Sequence, residues 1–355
     1  MLYWLLYEKL YPAISPFRVF RYVTVRAMFA SLTSLFLCIL LGPWLIRKLR
    51  ELQIGQYIRE DGPKSHLKKA GTPTMGGVLI VVSIIVPTLL WADLKQTYPW
   101  LAMFSLLAFG AIGFIDDWSK LTKQRNLGLS AKGKFALQML VAAILTMALA
   151  WMQGHDQYST TLNVPFLKQF TPDLLIHGFM KSPFTWPLAF LPFYLFFVFV
   201  VVGASNAVNI TDGLDGLAIG LMIVSAGALT VLTYASGHRE FAEYLQLARI
   251  PRSAELTIFC GSMTGASLGF LWWNCHPASV FMGDVGSLSL GGAMGVVAVL
   301  IKQEILLIFI AGMFVFELLS VILQVGSYKL RRKRIFRMAP PSESDPTSPI
   351  KTEAG

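Results

Sequence analysis

The sequence predicts an all-α polytopic membrane protein with about nine transmembrane helices, on three observations. Of 355 residues, 55% are hydrophobic and only 14% charged, whereas a soluble domain carries roughly 25% charged residues. The mean hydropathy is +0.58. The apolar residues gather into nine stretches, each near the roughly 20 residues that cross about 30 Å of hydrocarbon. A disordered chain and a collagen are excluded, and three cysteines do not make a secreted disulfide scaffold. Cys38, Cys260 and Cys275 lie in or beside apolar runs, which predicts buried, reduced thiols.

Residues 1–22, with Tyr3, Trp4, Tyr7, Tyr11 and Phe17, have the composition of an interfacial aromatic lead-in. Met1 to Leu6 lacks a basic start and a long apolar run, so no signal peptide is expected and the segment should persist in the mature protein. Spans centred on Phe36, Ile84, Leu107 and Ala143 follow, and a longer outside loop, 152–185, precedes a span centred on Phe197. A turn rich in Asn, Asp and Gly leads to the span at Ser225. Phe241, Tyr244, Leu245 and Ala248 then have amphipathic spacing suited to the interface. Spans at Thr264, Gly295 and Met313 complete the set, with Trp272 and Trp273 as aromatic-belt anchors.

Lys and Arg set the orientation. Segments 47–74, 116–134 and the tail from 328 hold seven, five and seven, so 19 of the 30 lie on one side. The positive-inside rule places that side, and the C-terminal tail, in the cytoplasm and the N-terminus outside. The net charge of +10 is then a topology signal. No nucleic-acid-binding module is visible, and no nucleic acid partner is expected.

Asp116, Asp117, Asp212, Asp215 and Asp284 come from three connections, yet alternation brings all five to the cytoplasmic face. A single interfacial Asp is as readily a solvated helix end. Five on one face, in loops rich in Gly and Asn, indicate a polar pocket in the bundle. Asp116 and Lys120 share a face if their helix continues, as an ion pair or as a carboxylate kept ionised beside a cation. In Asn206-Ala207-Val208-Asn209-Ile210-Thr211-Asp212-Gly213-Leu214-Asp215-Gly216, the two acids at i and i+3 can converge, although such a run also suits an ordinary turn. Asp284 stands between glycines just before another span. Scattered carboxylates without a His or Cys ligand pattern suit Mg²⁺ or Mn²⁺ better than zinc. Lys64, Lys68, Lys69, Lys120, Lys123, Arg125, Lys132 and Lys134 ring the same face and would attract phosphate. The run Gly71 to Gly77 lacks Walker A spacing and suits a tight turn with close helix packing.

Four segments in order, Lys64 to Gly77, Asp116 to Lys120, Asn206 to Gly216 and Trp272 to Ser287, resemble the bacterial phospho-N-acetylmuramoyl-pentapeptide transferases. These belong to the polyprenyl-phosphate N-acetylhexosamine-1-phosphate transferase superfamily. The likeness runs to Pro340, and Val315 to Pro340 resembles this branch in particular. The resemblance implies one membrane-embedded transferase domain, 1–340, with a periplasmic insertion, in the bacterial inner membrane and with its active site facing the cytoplasm. It implies transfer of phospho-MurNAc-pentapeptide from its UDP carrier to undecaprenyl phosphate, giving lipid I and UMP with Mg²⁺. It also implies membrane lipid and a second copy, as a homodimer, as partners.

By resemblance Asp284 is a Mg²⁺ ligand, with Asp212 and Asn209 supporting the metal and diphosphate. Asp116 is the acid nearest the attacking lipid phosphate, with Asp117 beside it. Lys69 and Thr74 border the site, Phe281 stacks on uracil, and Gly213, Leu214, Asp215 and Asn274 line the nucleoside pocket. For Phe281 an ordinary interfacial aromatic is the alternative. Direct attack and a covalent aspartyl intermediate both stay open.

One departure stands out. The family continues past this point with three histidines, a loop and a tenth span. Here residues 341–355 form a polar tail rich in Pro and Ser, with the composition of disorder, and the five His are at 66, 155, 177, 238 and 276. The expectation is a changed reading frame near codon 340, which the DNA beyond it tests. A catalytically impaired remnant is therefore one alternative function. A cation-coupled transporter is another, although it would place its charges near mid-span rather than at span ends.

Overall fold

Nine apolar helices run between the two ends of the molecule in alternating directions in the computed structural model, which describes residues 1–52, 72–122, 128–165, 167, 170–181 and 185–336. They are α1 (Val23–Glu51), α2 (Gly77–Trp91), α3 (Thr97–Thr122), α4 (Ala131–Gln153), α5 (Leu191–Thr211), α6 (Leu217–Gly237), α7 (Leu256–Asn274), α8 (Gly283–Leu300) and α9 (Gly312–Arg331). Eight are long and apolar enough to cross a membrane, and α2, of 15 residues, is shorter. The chain is a multi-pass membrane protein. The centre of each expected span lies on one of these helices.

The packing order follows side-chain size. From Val285 to Leu300 every residue of α8 is buried, and α8 packs against α3, α5 and α2. Small residues let the backbones approach, as in other membrane bundles. A Cβ on Gly113 of α3 would stand 2.1 Å from the Asp284 carbonyl oxygen, and one on Gly77 of α2 would stand 2.1 Å from the Gly286 nitrogen. The start of α8 is thereby wedged between α2 and α3. The outer helices carry large side chains on their unburied faces, among them Phe36 and Leu40 of α1, Met147 of α4, Phe199 of α5 and Ile322 of α9, as lipid contact requires.

At the end away from Asp284, a polar lock joins three helices. Arg26 on α1 donates to both carboxylate oxygens of Glu255 at 2.8 and 2.7 Å and to the Trp91 carbonyl at 3.2 Å. The Asp93 amide donates to Glu255 at 2.8 Å, and the Tyr3 ring lies 4.1 Å from the guanidinium. The aromatic lead-in folds over this lock as two short helical segments, Trp4–Leu10 and Ser15–Arg21.

Three expectations need correction. Met313 is not a span centre but the second residue of α9, because the apolar residues before it form a short helix, Leu307–Ile310, and turns. Cys275 is exposed, since it follows the last residue of α7; Cys38 and Cys260 are buried and free as expected. Trp272 is exposed, but Trp273 is packed so closely on Gly42 of α1 that a Cβ there would meet its indole at 2.2 Å. Trp273 is therefore a helix-packing residue. The described residues of the outside insertion include one isolated antiparallel bridge, between Thr161 and Asp173. Phe166, Lys168 and the tail 341–355 lie outside the described residues.

Candidate active site

Helix ends bring the charged residues together. Asp116 and Asp117 lie near the C-terminal end of α3, with Lys120 one turn on. Ser130 caps α4, its hydroxyl accepting from the Gly133 amide at 3.1 Å, and Lys134 follows in the first turns. Asn209 lies on the last turn of α5. Asp284 sits in the first turn of α8, where the helix dipole favours a negative charge. Gly283 before it has φ +71°, a left-handed conformation that glycine adopts without strain.

The Lys120 ammonium touches three carboxylates: Asp116 at 2.7 Å, Asp117 at 3.2 Å and Asp284 at 2.8 Å. Lys134 lies 2.9 Å from the same Asp284 oxygen, Oδ2, and 3.8 Å from Asp116. Asn209 donates to Asp284 Oδ1 at 2.7 Å, and its Nδ2 lies 2.8 Å from the Ser287 hydroxyl. Backbone amides complete the set, Leu129 donating to Asp116 at 2.7 Å and Val285 to Asp117 at 3.3 Å. Asp116 and Asp117 are buried, and Asp284 is half-buried.

The surrounding loops are pinned to one another. Residues 73–77 pair with 281–282: the Phe281 amide donates to Pro73 at 2.8 Å, and the Gly76 and Gly77 amides donate to the Phe281 and Met282 carbonyls at 2.9 and 2.8 Å. This holds Thr74 beside Gly283, where a Cβ would stand 2.9 Å from the Thr74 hydroxyl and 2.7 Å from Asp117. Buried Asn274 accepts from the Gly216 amide at 3.1 Å and donates to the Val280 carbonyl at 2.9 Å, joining the 212–216 turn to the loop before α8. Asp215 accepts from the Ala278 amide at 3.3 Å and lies 3.2 Å from the His276 ring. Asp212 follows the last residue of α5 and lies beside the cluster. Its burial, then the charges of Asp284 and Asp117, push its carboxyl well above the usual carboxylate range, against a backbone hydrogen bond from Gly283.

Of the residues expected from sequence, Asp116, Asp117 and Asp284 converge, with Asn209 in direct contact and Thr74 at the border. Asp215, Asn274 and Phe281 belong to the adjoining loops that are tied together, Gly213 and Leu214 lie in the turn between α5 and α6, and Lys69 lies outside the described residues. Sequence reasoning missed Ser287 and the reach of Lys120 to all three acids. The glycine packing of Gly113 was also missed. The i, i+4 spacing of Asp116 and Lys120 was the only signal available for the second of these.

The cluster can hold a divalent cation. One oxygen from each of Asp116, Asp117 and Asp284 lies within 4.8 Å of the others, and the donors are all oxygen, which suits a hard cation. A positive centre is already tolerated there, because the Lys120 ammonium lies within hydrogen-bonding distance of all three acids.

Fold and site together define a multi-pass membrane protein with an acidic centre at the ends of its helices, and comparison with known proteins makes it a transferase. A family model described as glycosyl transferase family 4 matches residues 99–302, and a phospho-N-acetylmuramoyl-pentapeptide-transferase signature matches residues 69–81. Proteins of that name are similar along nearly the whole chain. One from Solibacter usitatus is 68% identical over 341 residues, and one from Koribacter versatilis is 63% identical over 342; each alignment covers 96% of this chain and 90% of the relative. A third, from Desulfatibacillum aliphaticivorans, is 52% identical over 95% of this chain and 90% of its own. The chain belongs to the phospho-N-acetylmuramoyl-pentapeptide-transferase family.

Proposed function

We propose that the protein transfers phospho-MurNAc-pentapeptide from UDP-MurNAc-pentapeptide to undecaprenyl phosphate, forming lipid I and UMP, on the cytoplasmic face of a bacterial inner membrane. The observation that carries this reading is the meeting of Asp116, Asp117 and Asp284 with Lys120 and Lys134 at one end of the bundle. A soluble nucleotide sugar and a membrane-embedded lipid phosphate can both reach a polar centre at that depth. The basic residues at this end support the cytoplasmic orientation.

Asp284 would hold Mg²⁺, with Asp116 and Asp117 as the other carboxylates within reach and Asp212 supporting the metal and diphosphate. Mg²⁺ bound there would neutralise the diphosphate and favour departure of UMP. Asp116 orients the lipid phosphate and can take its proton. Lys120 and Lys134, released from the acids, bind phosphoryl oxygens. Asn209 on α5 fixes the Asp284 carboxylate and is itself bonded to the Ser287 hydroxyl of α8. Phe281 stacks on uracil while Gly213, Leu214 and Asp215 line the nucleoside pocket. Asn274 shapes that pocket through the two backbone groups it joins, and Thr74 and Lys69 border the site.

The test supplies purified protein with UDP-MurNAc-pentapeptide, undecaprenyl phosphate and Mg²⁺ and measures UMP and lipid I. Wild type should make both, and Asp284→Asn should abolish turnover. No product from wild type rejects the reaction, and full activity of Asp284→Asn rejects the metal assignment.

A further inference from the structure

Asn206 opens the 206–216 motif, yet neither the acidic cluster nor the loops around it use its side chain. It meets Gln138 instead. The Asn206 amide donates to Gln138 Oε1 at 2.9 Å, and Gln138 Nε2 lies 3.5 Å from Asn206 Oδ1. Asn206 Nδ2 also donates to the Val202 carbonyl at 2.8 Å, which fixes its rotamer within α5. Gln138 is 1% exposed. The next residue on α4 is tied to α5 as well, since the Met139 carbonyl accepts from the Tyr194 hydroxyl at 3.2 Å.

Helical spacing connects this pair to the site. Gln138 follows Lys134 by four residues on α4, and Asn206 precedes Asn209 by three on α5, so each lies on the same helix face as a residue that grips Asp284. Lys134 holds Asp284 Oδ2 at 2.9 Å and Asn209 holds Oδ1 at 2.7 Å. The two helices thus converge through Asp284 and, a turn deeper, through the amides.

We infer that the Gln138–Asn206 amide pair is a positioning device, which sets the register of α4 against α5 so that Lys134 and Asn209 close on the same carboxylate. The inference rests on the proposed transfer reaction. Apolar side chains between helices in lipid give no directional preference, whereas two facing amides satisfy each other in one register only. A slip of one residue moves a helix by about 1.5 Å. It would leave each amide without its partner, the Gln138 amide in a buried position. The same slip would carry Lys134 out of hydrogen-bonding range of Asp284.

The experiment compares wild type with Gln138→Met, Asn206→Leu, their double variant and the reversed pair Gln138→Asn/Asn206→Gln. It measures kcat, KM for both substrates, thermal stability, and Mn²⁺ affinity by electron paramagnetic resonance without substrates. Each single variant should lose about 10–100-fold in kcat and in Mn²⁺ affinity, the usual scale for residues that orient metal ligands, with little change in either KM. The double should be no worse than the worse single, and the reversed pair should recover part of both losses. Leu145→Ala, a change buried elsewhere in α4, should lower stability but keep kcat. The inference is overturned by singles with wild-type kcat and Mn²⁺ affinity, by a double whose losses are the sum of the singles, or by a reversed pair that recovers nothing. An equal loss of kcat in Leu145→Ala also overturns it. If wild type yields no UMP, the transfer reading fails separately. Mn²⁺ affinity across the same proteins then decides the inference, and equal affinities refute it.

Discussion

Replacing Gly113 with alanine tests the claim that α3 and α8 touch backbone to backbone beside the acidic cluster. A Cβ at Gly113 would stand 2.1 Å from the Asp284 carbonyl oxygen, 2.4 Å from its carbon and 2.6 Å from the Val285 nitrogen. All three atoms are backbone, so no side chain can rotate away. Widening 2.1 Å to the 3.4 Å of an ordinary contact moves the start of α8 by about 1.3 Å. The ties of Asp284 to Lys120 at 2.8 Å and Lys134 at 2.9 Å would then stretch past hydrogen-bonding range. A misplacement near 1 Å costs about 10²-fold in rate, and overpacking of this kind costs about 1–3 kcal/mol in stability. Gly110→Ala is the control on the same helix: its Cβ would lie 3.4 Å from Ser289 Cβ and farther from everything else, so it fits. Release of UMP at saturating substrates gives kcat, and a thermal melt in detergent gives stability. Gly113→Ala turning over at the rate of Gly110→Ala would refute the close contact as a determinant of the site.

Other expectations concern the lock, the outer loop and the loops adjoining the site. Glu255→Leu strands the buried Arg26 charge and should cost about 3–5 kcal/mol, while Arg26→Met/Glu255→Leu together should cost less; a double that melts below the single contradicts this. Between α8 and α9, Lys302 donates to the Tyr158 hydroxyl at 2.7 Å and lies 3.9 Å from Glu304. Burial lowers Lys302 from 10.5 to about 8 and raises Glu304 from 4.5 to about 7. Folded Glu304 holds its proton more tightly than unfolded, so its share of stability falls as pH rises from about 4.5 to 7; folded Lys302 holds its proton less tightly, so its share rises from about 8 to 10.5. The melting temperature should dip between pH 7 and 8, and Lys302→Met/Glu304→Gln should flatten that dip; an unchanged profile counts against the pair. Asn274→Ala frees the Gly216 amide and the Val280 carbonyl, which should cost about 1–3 kcal/mol and raise KM for the nucleotide substrate while kcat holds; an unaltered KM would deny that Asn274 shapes the pocket.

What the sequence disclosed follows from the solvent of each part. Lipid imposes a length and a composition on every span, so all nine apolar stretches could be located, and alternation alone carried Asp116, Asp117 and Asp284 to one end. The same uniformity hid the boundary before α9, because a buried short helix such as Leu307–Ile310 is as apolar as a span. It hid helix neighbours too. Every face of α8 is buried, so no amphipathic stripe indicates which side meets α3, and the glycines that decide it leave no hydrophobic signal. Polar residues were legible where they formed runs, as at 206–216, and illegible where their partners lay on another helix. Gln138 is a single amide in an apolar stretch, and only the fold puts Asn206 opposite it. The register of such a bundle is therefore written in a few polar and glycine positions. Those positions stand beside the acidic cluster because a carboxylate shared by four helices leaves little tolerance for slippage.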